Sequence, residues 1–188
     1  AYLPIFRHTK KQLTLHRLMT ERAELYMDII AMVFRPKGLE TPPPTEAEQQ
    51  RAVIAYELLD SISVLPGQDD LDVNADILLS WCAEVRKLAA KSNLIEVTDT
   101  RIGHLLAHAP CSSNDGAWPH ESVRSVLESL ASDEMEQGVS VERFNMRGVF
   151  SKAIGEGGTQ ERKLAEQSKS WAETISGSPR TAAMLMRI

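Results

Sequence analysis

The feature that most constrains the fold of this chain is the helical spacing of its apolar residues. In every long segment, apolar side chains recur at intervals of three and four residues, which places them on one face of an α-helix. In the segment from Thr9 to Phe34 this stripe consists of Leu15, Leu18, Met19, Tyr26, Ile29, Ile30 and Val33. Similar stripes run through 45–62, 73–91 and 159–175. They predict amphipathic helices that bury their apolar faces against one another.

Cap and turn residues indicate where these helices begin and end. Thr45 and Glu48 form a capping box, in which each side chain accepts a hydrogen bond from a backbone N–H of the first turn. A shorter helix is expected from Thr98 or Asp99 to His108, and another after Pro119. A brief turn is expected over 132–138, and a loop over 155–158 that Thr159 closes as the cap of the last long helix.

The stretch from Val139 to Gly155 fits two structures. Val139, Val141 and Phe144 alternate as in a short strand, whereas residues 146–154 also fit a helix. We therefore predict an all-α fold, an irregular array or bundle of seven to nine helices with at most one very short strand pair, near 139–144. Trp81 and Trp171 are expected in the core, and Trp118, on a predicted loop, is expected to plug a helix junction.

Composition excludes several classes of protein. Hydrophobic residues make up 43% of the chain and charged residues 25%, which is typical of globular proteins and not of disordered or collagen-like ones. The longest strongly apolar stretch, Ile29 to Phe34, is far shorter than the ~20 residues that span a bilayer, so no membrane contact is expected. Two cysteines, Cys82 and Cys111, do not make a disulfide scaffold and fit a reducing cytoplasm.

The length of 188 residues predicts a single helical domain over 1–188, with a possible division into an N-terminal long helix within 1–40 and a helical array over 41–188. Both ends look like cuts in a longer polypeptide. Residue 1 is Ala, and the helix that Ser178 and Pro179 open reaches the last residue without a terminating Gly, Asn or Pro.

The net charge of −5 argues against a broadly basic nucleic-acid binder. Charge is also uneven along the chain, at +4 over residues 1–37, −12 over 38–139 and +3 over 140–188. An acidic centre between basic ends either steers partners or pairs with those ends inside one fold. We expect the second.

One candidate metal site stands out. His104 and His108 are four residues apart on a predicted helix and hence on one face, Cys111 follows, and His120 comes later. Imidazole nitrogen and thiolate sulfur are the ligands of tetrahedral zinc, so zinc is the candidate cofactor. The alternative is a helix with two polar positions beside a cysteine packed as a small hydrophobe. A Glu between the two His, as in metalloprotease helices, is missing.

A candidate polar site surrounds the Gly-rich loop at 155–158. The loop lacks the Lys of a phosphate-binding loop, and Glu156 would repel an anion. Amide, guanidinium and carboxylate groups nevertheless cluster in sequence on both sides of it. They form either a polar ligand site or a hydrogen-bonded network that fixes the loop, and they are Asn145, Arg147, Glu156, Glu161 and Arg162.

Several short runs carry a resemblance to known proteins. They are Arg101-Ile-Gly-His-Leu-Leu-Ala-His-Ala-Pro110, Asp115-Gly-Ala-Trp-Pro119, Val123-Arg124, Asn145-Met-Arg-Gly-Val149, Glu156-Gly-Gly-Thr-Gln-Glu-Arg162, Trp171-Ala172 and Pro179-Arg-Thr-Ala182. In this order they resemble a helical C-terminal region of large bacterial proteins of unassigned function, over residues 70–188 only. The resemblance implies a bacterial cytoplasmic origin and a module of a longer chain, and it supplies no catalytic residues.

Three functions are compatible with the sequence. The first is a non-catalytic helical interaction or scaffold domain, whose partners are other domains of the same polypeptide or another protein. The second is a zinc enzyme or zinc-stabilised module built on the His and Cys cluster. The third, against which the net charge argues, is a nucleic-acid-binding module whose basic residues are Arg7, Lys10, Lys11, Arg17 and Arg22. Because no complete catalytic set is recognisable, the first is favoured.

Overall fold

The computed structural model describes residues 10–36, 38, 42–147, 158–175 and 177–188, with side chains from residue 14 onward. Within these residues the chain forms nine helices and one pair of two-residue strands. The elements are α1 (Lys10–Glu21), α2 (Ala23–Val33), α3 (Glu46–Ser61), β1 (Gln68–Asp69), β2 (Asp72–Val73), α4 (Ala75–Lys91), α5 (Ile95–Leu106), α6 (Glu121–Leu130), α7 (Asp133–Asn145), α8 (Thr159–Thr174) and α9 (Pro179–Arg187). The predicted all-α class with one very short strand pair is confirmed.

The segment predicted as one long N-terminal helix forms two helices that meet at Arg22, whose backbone is extended (φ −127°, ψ 104°). The indole Nε1 of Trp81 donates a hydrogen bond to the carbonyl oxygen of Met19 at 3.1 Å. In a continuous helix that oxygen would accept from the amide of Ala23. The break thus coincides with a contact to α4, which the periodicity of the segment itself does not encode.

The strand pair of the described residues lies between α3 and α4, and the prediction that placed it near 139–144 is wrong. β1 and β2 are antiparallel, with Gln68 opposite Val73 and Asp69 opposite Asp72. Residues 139–144 instead belong to α7, which also includes most of the turn predicted over 132–138.

Two glycines explain why α7 continues through Gly138. A Cβ atom at Gly138 would lie 2.2 Å from the carbonyl oxygen of Thr100, and one at Gly103 would lie 2.1 Å from the carbonyl oxygen of Met135. Here α5 and α7 cross in backbone contact, and this pair packs more extensively than any other pair of described elements. Gly138 is therefore a close-approach residue inside a helix and not a helix end.

Two predicted caps are also wrong. Thr98 and Asp99 lie inside α5, where the hydroxyl of Thr98 contacts the sulfur of Met27 and the carboxylate of Asp99 accepts from Arg86 Nε at 2.9 Å. Their side chains bind neighbouring helices instead of the N-terminus of their own. At α8 the N-cap is Gly158 (φ +75°), and Thr159 is the first helical residue.

The C-terminal helix α9 is held to α6 and α7 by charged side chains. Arg180 Nη2 lies 2.7 Å from Asp133 Oδ1, and Arg180 Nε donates to Glu136 Oε1 at 2.7 Å. Arg187 forms a second ion pair with Glu136. The amide of Thr181 donates to Glu128 Oε1 at 2.8 Å, so this carboxylate caps the first turn of α9.

One hydrophobic core extends from α1 to α9 through the described residues. It is mainly aliphatic, as the low aromatic content predicts. Trp81 and Trp118 are buried, as predicted, whereas Trp171 is only partly buried. Among the described helices, none has the length and apolar character needed to cross a membrane.

Candidate functional site

The two histidines of the predicted metal site do lie together, on either side of Glu142 in α7. His104 Nδ1 is 3.5 Å from Glu142 Oε2, and His108 Nε2 is 3.5 Å from Glu142 Oε1. Burial lowers the pKa of both imidazoles, and the positive charge of Arg101 lowers that of His104 further. Both rings are thus neutral at pH 7 and form a polar contact with α7.

The other two predicted ligands lie elsewhere. Cys111 is exposed. His120 is buried at the start of α6, where its Nδ1 accepts the amide of Ser122 at 3.3 Å and its Nε2 lies 3.4 Å from Asp72 Oδ1. Within the part of the chain that the structure describes, no group of three or more His, Cys, Asp and Glu side chains could hold a metal ion. The four residues are therefore not brought together in the described part of the chain, and the Nδ1 of His120 instead caps α6.

The predicted polar site is only partly described, since Glu156 lies outside the described residues. Asn145 Nδ2 donates to Glu142 Oε2 at 3.2 Å, and the guanidinium of Arg147 lies 5.5 Å from the ring centre of Phe144. Arg162 Nη2 lies 3.5 Å from the hydroxyl of Thr159, one turn away on α8, and Glu161 occupies the same first turn. These contacts connect residues that are near neighbours in sequence.

Three of the short runs singled out in the sequence, 101–110, 115–119 and 171–172, meet around Trp118. Its indole Nε1 donates to the carbonyl oxygen of Ala109 at 2.9 Å, its ring centre is 6.0 Å from that of Trp171, and the guanidinium of Arg143 lies 4.3 Å above it. The run 115–119 thus forms part of a packed junction between helices.

An ion pair between the buried guanidinium of Arg124 and the exposed carboxylate of Asp115 supports this junction. Both guanidinium Nη atoms of Arg124 donate to the carboxylate of Asp115, at 2.5 and 2.9 Å, and Arg124 Nε donates to the carbonyl oxygen of Pro119. The hydrogen bonds from Arg124 hold the pKa of Asp115 down at about 2. This geometry fixes the turn before α6, so Asp115, Pro119 and Arg124 have a structural role in it.

The basic residues of the nucleic-acid hypothesis are described only in part. Arg7 lies outside the described residues, and the side chains of Lys10 and Lys11 are likewise not described. Arg17 pairs with Glu21 of its own helix at 3.0 Å, and Arg22 is exposed at the break between α1 and α2.

A concave site that the sequence does not predict lies between α1–α2, the β-hairpin and α4. It is an open groove of about 1030 Å³. We call it the acidic groove, because among the described residues the charged side chains that line it are one guanidinium, Arg17, and five carboxylates, Glu21, Glu24, Asp69, Asp76 and Glu84.

The floor of the acidic groove is apolar, and apolar side chains also form part of its walls. Trp81 and Leu65 lie at its base and are 6% and 1% exposed. Val64 and Ile77 are 40% and 51% exposed and offer apolar surface to the groove. The N–H of Trp81 is already bonded to α1, and its ring packs edge-on against Tyr26 at 4.8 Å, so the floor is held in place.

The carboxylates of the groove differ in their partners. Glu21 pairs with Arg17, and Glu84 pairs with Lys87 at 3.0 Å. Glu24, Asp69 and Asp76 pair with no Lys or Arg whose side chain the structure describes.

The remaining titratable group of the groove does not offset this negative charge. Burial lowers the pKa of His16, whose Nε2 lies 3.1 Å from the hydroxyl of Ser61, so this imidazole is neutral at pH 7. The described lining of the groove therefore carries a net negative charge above an apolar floor.

The only feature of the sequence that points to this groove is the net negative charge of residues 38–139. Its lining comes from three separate stretches of chain, and the apolar stripe of α4 predicts that Ile77 is buried, whereas half of it is exposed. No protein-family model, curated protein or solved structure matches this chain, and the assignment of function therefore rests on the geometry of the site.

Proposed function

We propose that this chain is a non-catalytic helical interaction or scaffold domain of a larger bacterial cytoplasmic protein. A polypeptide segment, from a partner protein or from another domain of the same polypeptide, docks in the acidic groove. The observation that carries the proposal is the groove itself, in which exposed Val64 and Ile77 stand above a buried floor.

The size and shape of the groove favour a polypeptide over a small cofactor. Its volume of about 1030 Å³ is at the upper end of the range for small-molecule pockets, about 300–1,000 Å³, and it is open along one side. Peptides and amphipathic helices dock in such grooves by inserting apolar side chains spaced three or four residues apart.

A library of random peptides displayed on phage tests the proposal. Peptides enriched on the wild-type chain are compared on two variants, Ile77→Ser in the groove and Ile54→Ser on α3. Ile54 is the matched control, because it is 63% exposed and does not line the groove. Thermal melting of both variants confirms that they are folded.

We expect the enriched peptides to bind the wild type and Ile54→Ser equally and Ile77→Ser about ten-fold more weakly. Losing an apolar anchor of this size costs roughly 1.5 kcal/mol of transfer free energy, which corresponds to that factor. Enrichment of no peptide, or equal binding to both variants, would refute the groove as a docking surface.

A further inference from the structure

We propose, on the basis of the docking function above, that the segment bound in the acidic groove is a cationic amphipathic helix. Its apolar side chains enter between Val64 and Ile77, and its Lys and Arg side chains meet the carboxylates of the rim.

Charge complementarity identifies this occupant. Each of the three elements that surround the groove supplies one carboxylate without a described cationic partner, Glu24 from α2, Asp69 from β1 and Asp76 from α4. Exposed carboxylates on separate elements are best neutralised by several cations carried on one ligand. A segment with acidic side chains would be repelled from all three sides.

The apolar part of the groove sets the second requirement. Leu65 and Trp81 form a buried base, and Ile77 projects beside it from the first turn of α4. A purely charged ligand would leave this surface in water. A helix with Leu-like residues on one face and basic residues on its flanks covers the floor and reaches the rim at the same time.

Two fluorescein-labelled peptides test the charge of the occupant. Both have Leu at helical three- and four-residue spacing, and the remaining positions are Lys in one and Glu in the other. Fluorescence anisotropy measures their binding to the full chain in low salt, about 50 mM NaCl, and in about 500 mM NaCl, where screening shortens the reach of exposed charges.

Two triple variants, each removing three negative charges, make the test specific to the groove. The groove variant is Glu24→Gln, Asp69→Asn and Asp76→Asn. The control variant changes exposed acids that do not line the groove, and it is Asp28→Asn, Glu46→Gln and Glu166→Gln. Glu46 matches Asp76 in lying in the first turn of its helix.

We expect the Leu–Lys peptide to bind at least ten-fold more tightly than the Leu–Glu peptide. The groove variant should weaken the Leu–Lys complex at least five-fold and reduce its salt dependence, and the control variant should change affinity less than two-fold. Ile77→Ser should weaken the same complex, whereas Ile54→Ser should not.

Other results overturn the inference. Equal weakening by both triple variants would mean that the net charge of the chain, and not the groove, attracts the peptide. Failure of the Leu–Lys peptide to bind, or tighter binding of the Leu–Glu peptide, would refute a cationic occupant.

The docking function would still stand if library peptides of another composition depended on Ile77. A concentration-dependent dimer that the groove variant abolishes would identify a second copy of the chain as the occupant instead.

Discussion

Replacing either glycine at the crossing of α5 and α7 with alanine should destabilise the protein strongly. A Cβ at Gly103 would lie 2.1 Å from the carbonyl oxygen of Met135 and 2.9 Å from the amide nitrogen of Val139. Both are backbone atoms, so no side-chain rotation relieves the overlap, and the distance to the oxygen is more than ~1 Å short of ordinary van der Waals contact. The helices must therefore separate.

The size of the effect follows from two opposing terms. Overpacking of a rigid contact costs about 1–3 kcal/mol, and backbone-to-backbone overlap belongs at the upper end. Alanine regains about 1 kcal/mol of helix propensity over glycine. We therefore expect a net loss of about 2 kcal/mol for Gly103→Ala and for Gly138→Ala, or a fall in Tm of about 4–8 °C for a chain of this length.

Urea denaturation followed by far-UV circular dichroism measures this loss. Gly177→Ala is the control, because a Cβ there meets nothing within 4 Å, and its unfolding free energy should change by less than about 0.5 kcal/mol. The double variant should lose less than the sum of the single ones, since one separation of the helices accommodates both methyl groups. Losses in the single variants no larger than that of Gly177→Ala would refute the close crossing.

Three further predictions concern titration and packing. Because burial lowers the pKa of His104 and His108, the folded state binds fewer protons than the unfolded state below about pH 6.5. The unfolding free energy should therefore fall from pH 7 to pH 5, by up to about 1.4 kcal/mol per pH unit for each histidine. In the double variant His104→Gln/His108→Gln the unfolding free energy should fall less steeply. Asp115→Asn should lower the unfolding free energy by about 1–2 kcal/mol at pH 7 and by less toward pH 2. The pKa of Asp115 is about 2, so the stability from its pair with Arg124 is present above about pH 4 and is lost as the pH falls through about 2. Trp118→Ala should cost about 3–5 kcal/mol, because a buried indole and its hydrogen bond are lost.

Urea titrations across the pH range check the first two predictions and a single titration at neutral pH checks the third. An identical pH slope in the wild type and the histidine double variant would contradict the first. A cost of Asp115→Asn that does not change between pH 7 and pH 2 would contradict the second. For Trp118→Ala, a loss below about 1 kcal/mol, as at surface positions, would place that ring outside the core.

Helix caps and apolar stripes, which involve residues close in sequence, were predicted correctly for several helices. The capping box of Thr45 and Glu48 is present with both of its hydrogen bonds, and the stripes of α4 and α8 lie within helices of nearly the predicted length. These features depend on residues three or four apart, which sequence periodicity reports directly.

Features that depend on distant residues were not predictable in this way. Gly138 resembles a helix end in sequence, and only its contact with α5 explains its place inside a helix. The break at Arg22 accompanies a hydrogen bond from Trp81, which is 62 residues from Met19 in sequence.

In the candidate sites, too, only the features that depend on residues close in sequence were predictable. The pair His104 and His108 was predictable from its spacing, but their neighbour Glu142 was not, because the packing of α7 on α5 brings it there. The acidic groove combines Glu24, Asp69 and Asp76 from three elements, so no short motif marks it.

Methyl NMR during a titration with the Leu–Lys peptide tests the central claim most directly, because it locates the bound segment on the protein. With Ile, Leu and Val methyl groups labelled, the account predicts shift changes centred on Val64, Leu65 and Ile77 of the acidic groove, with exposed Val53 and Ile54 of α3 unchanged. Shift changes centred on α3, or no change in the groove at saturating peptide, would contradict it.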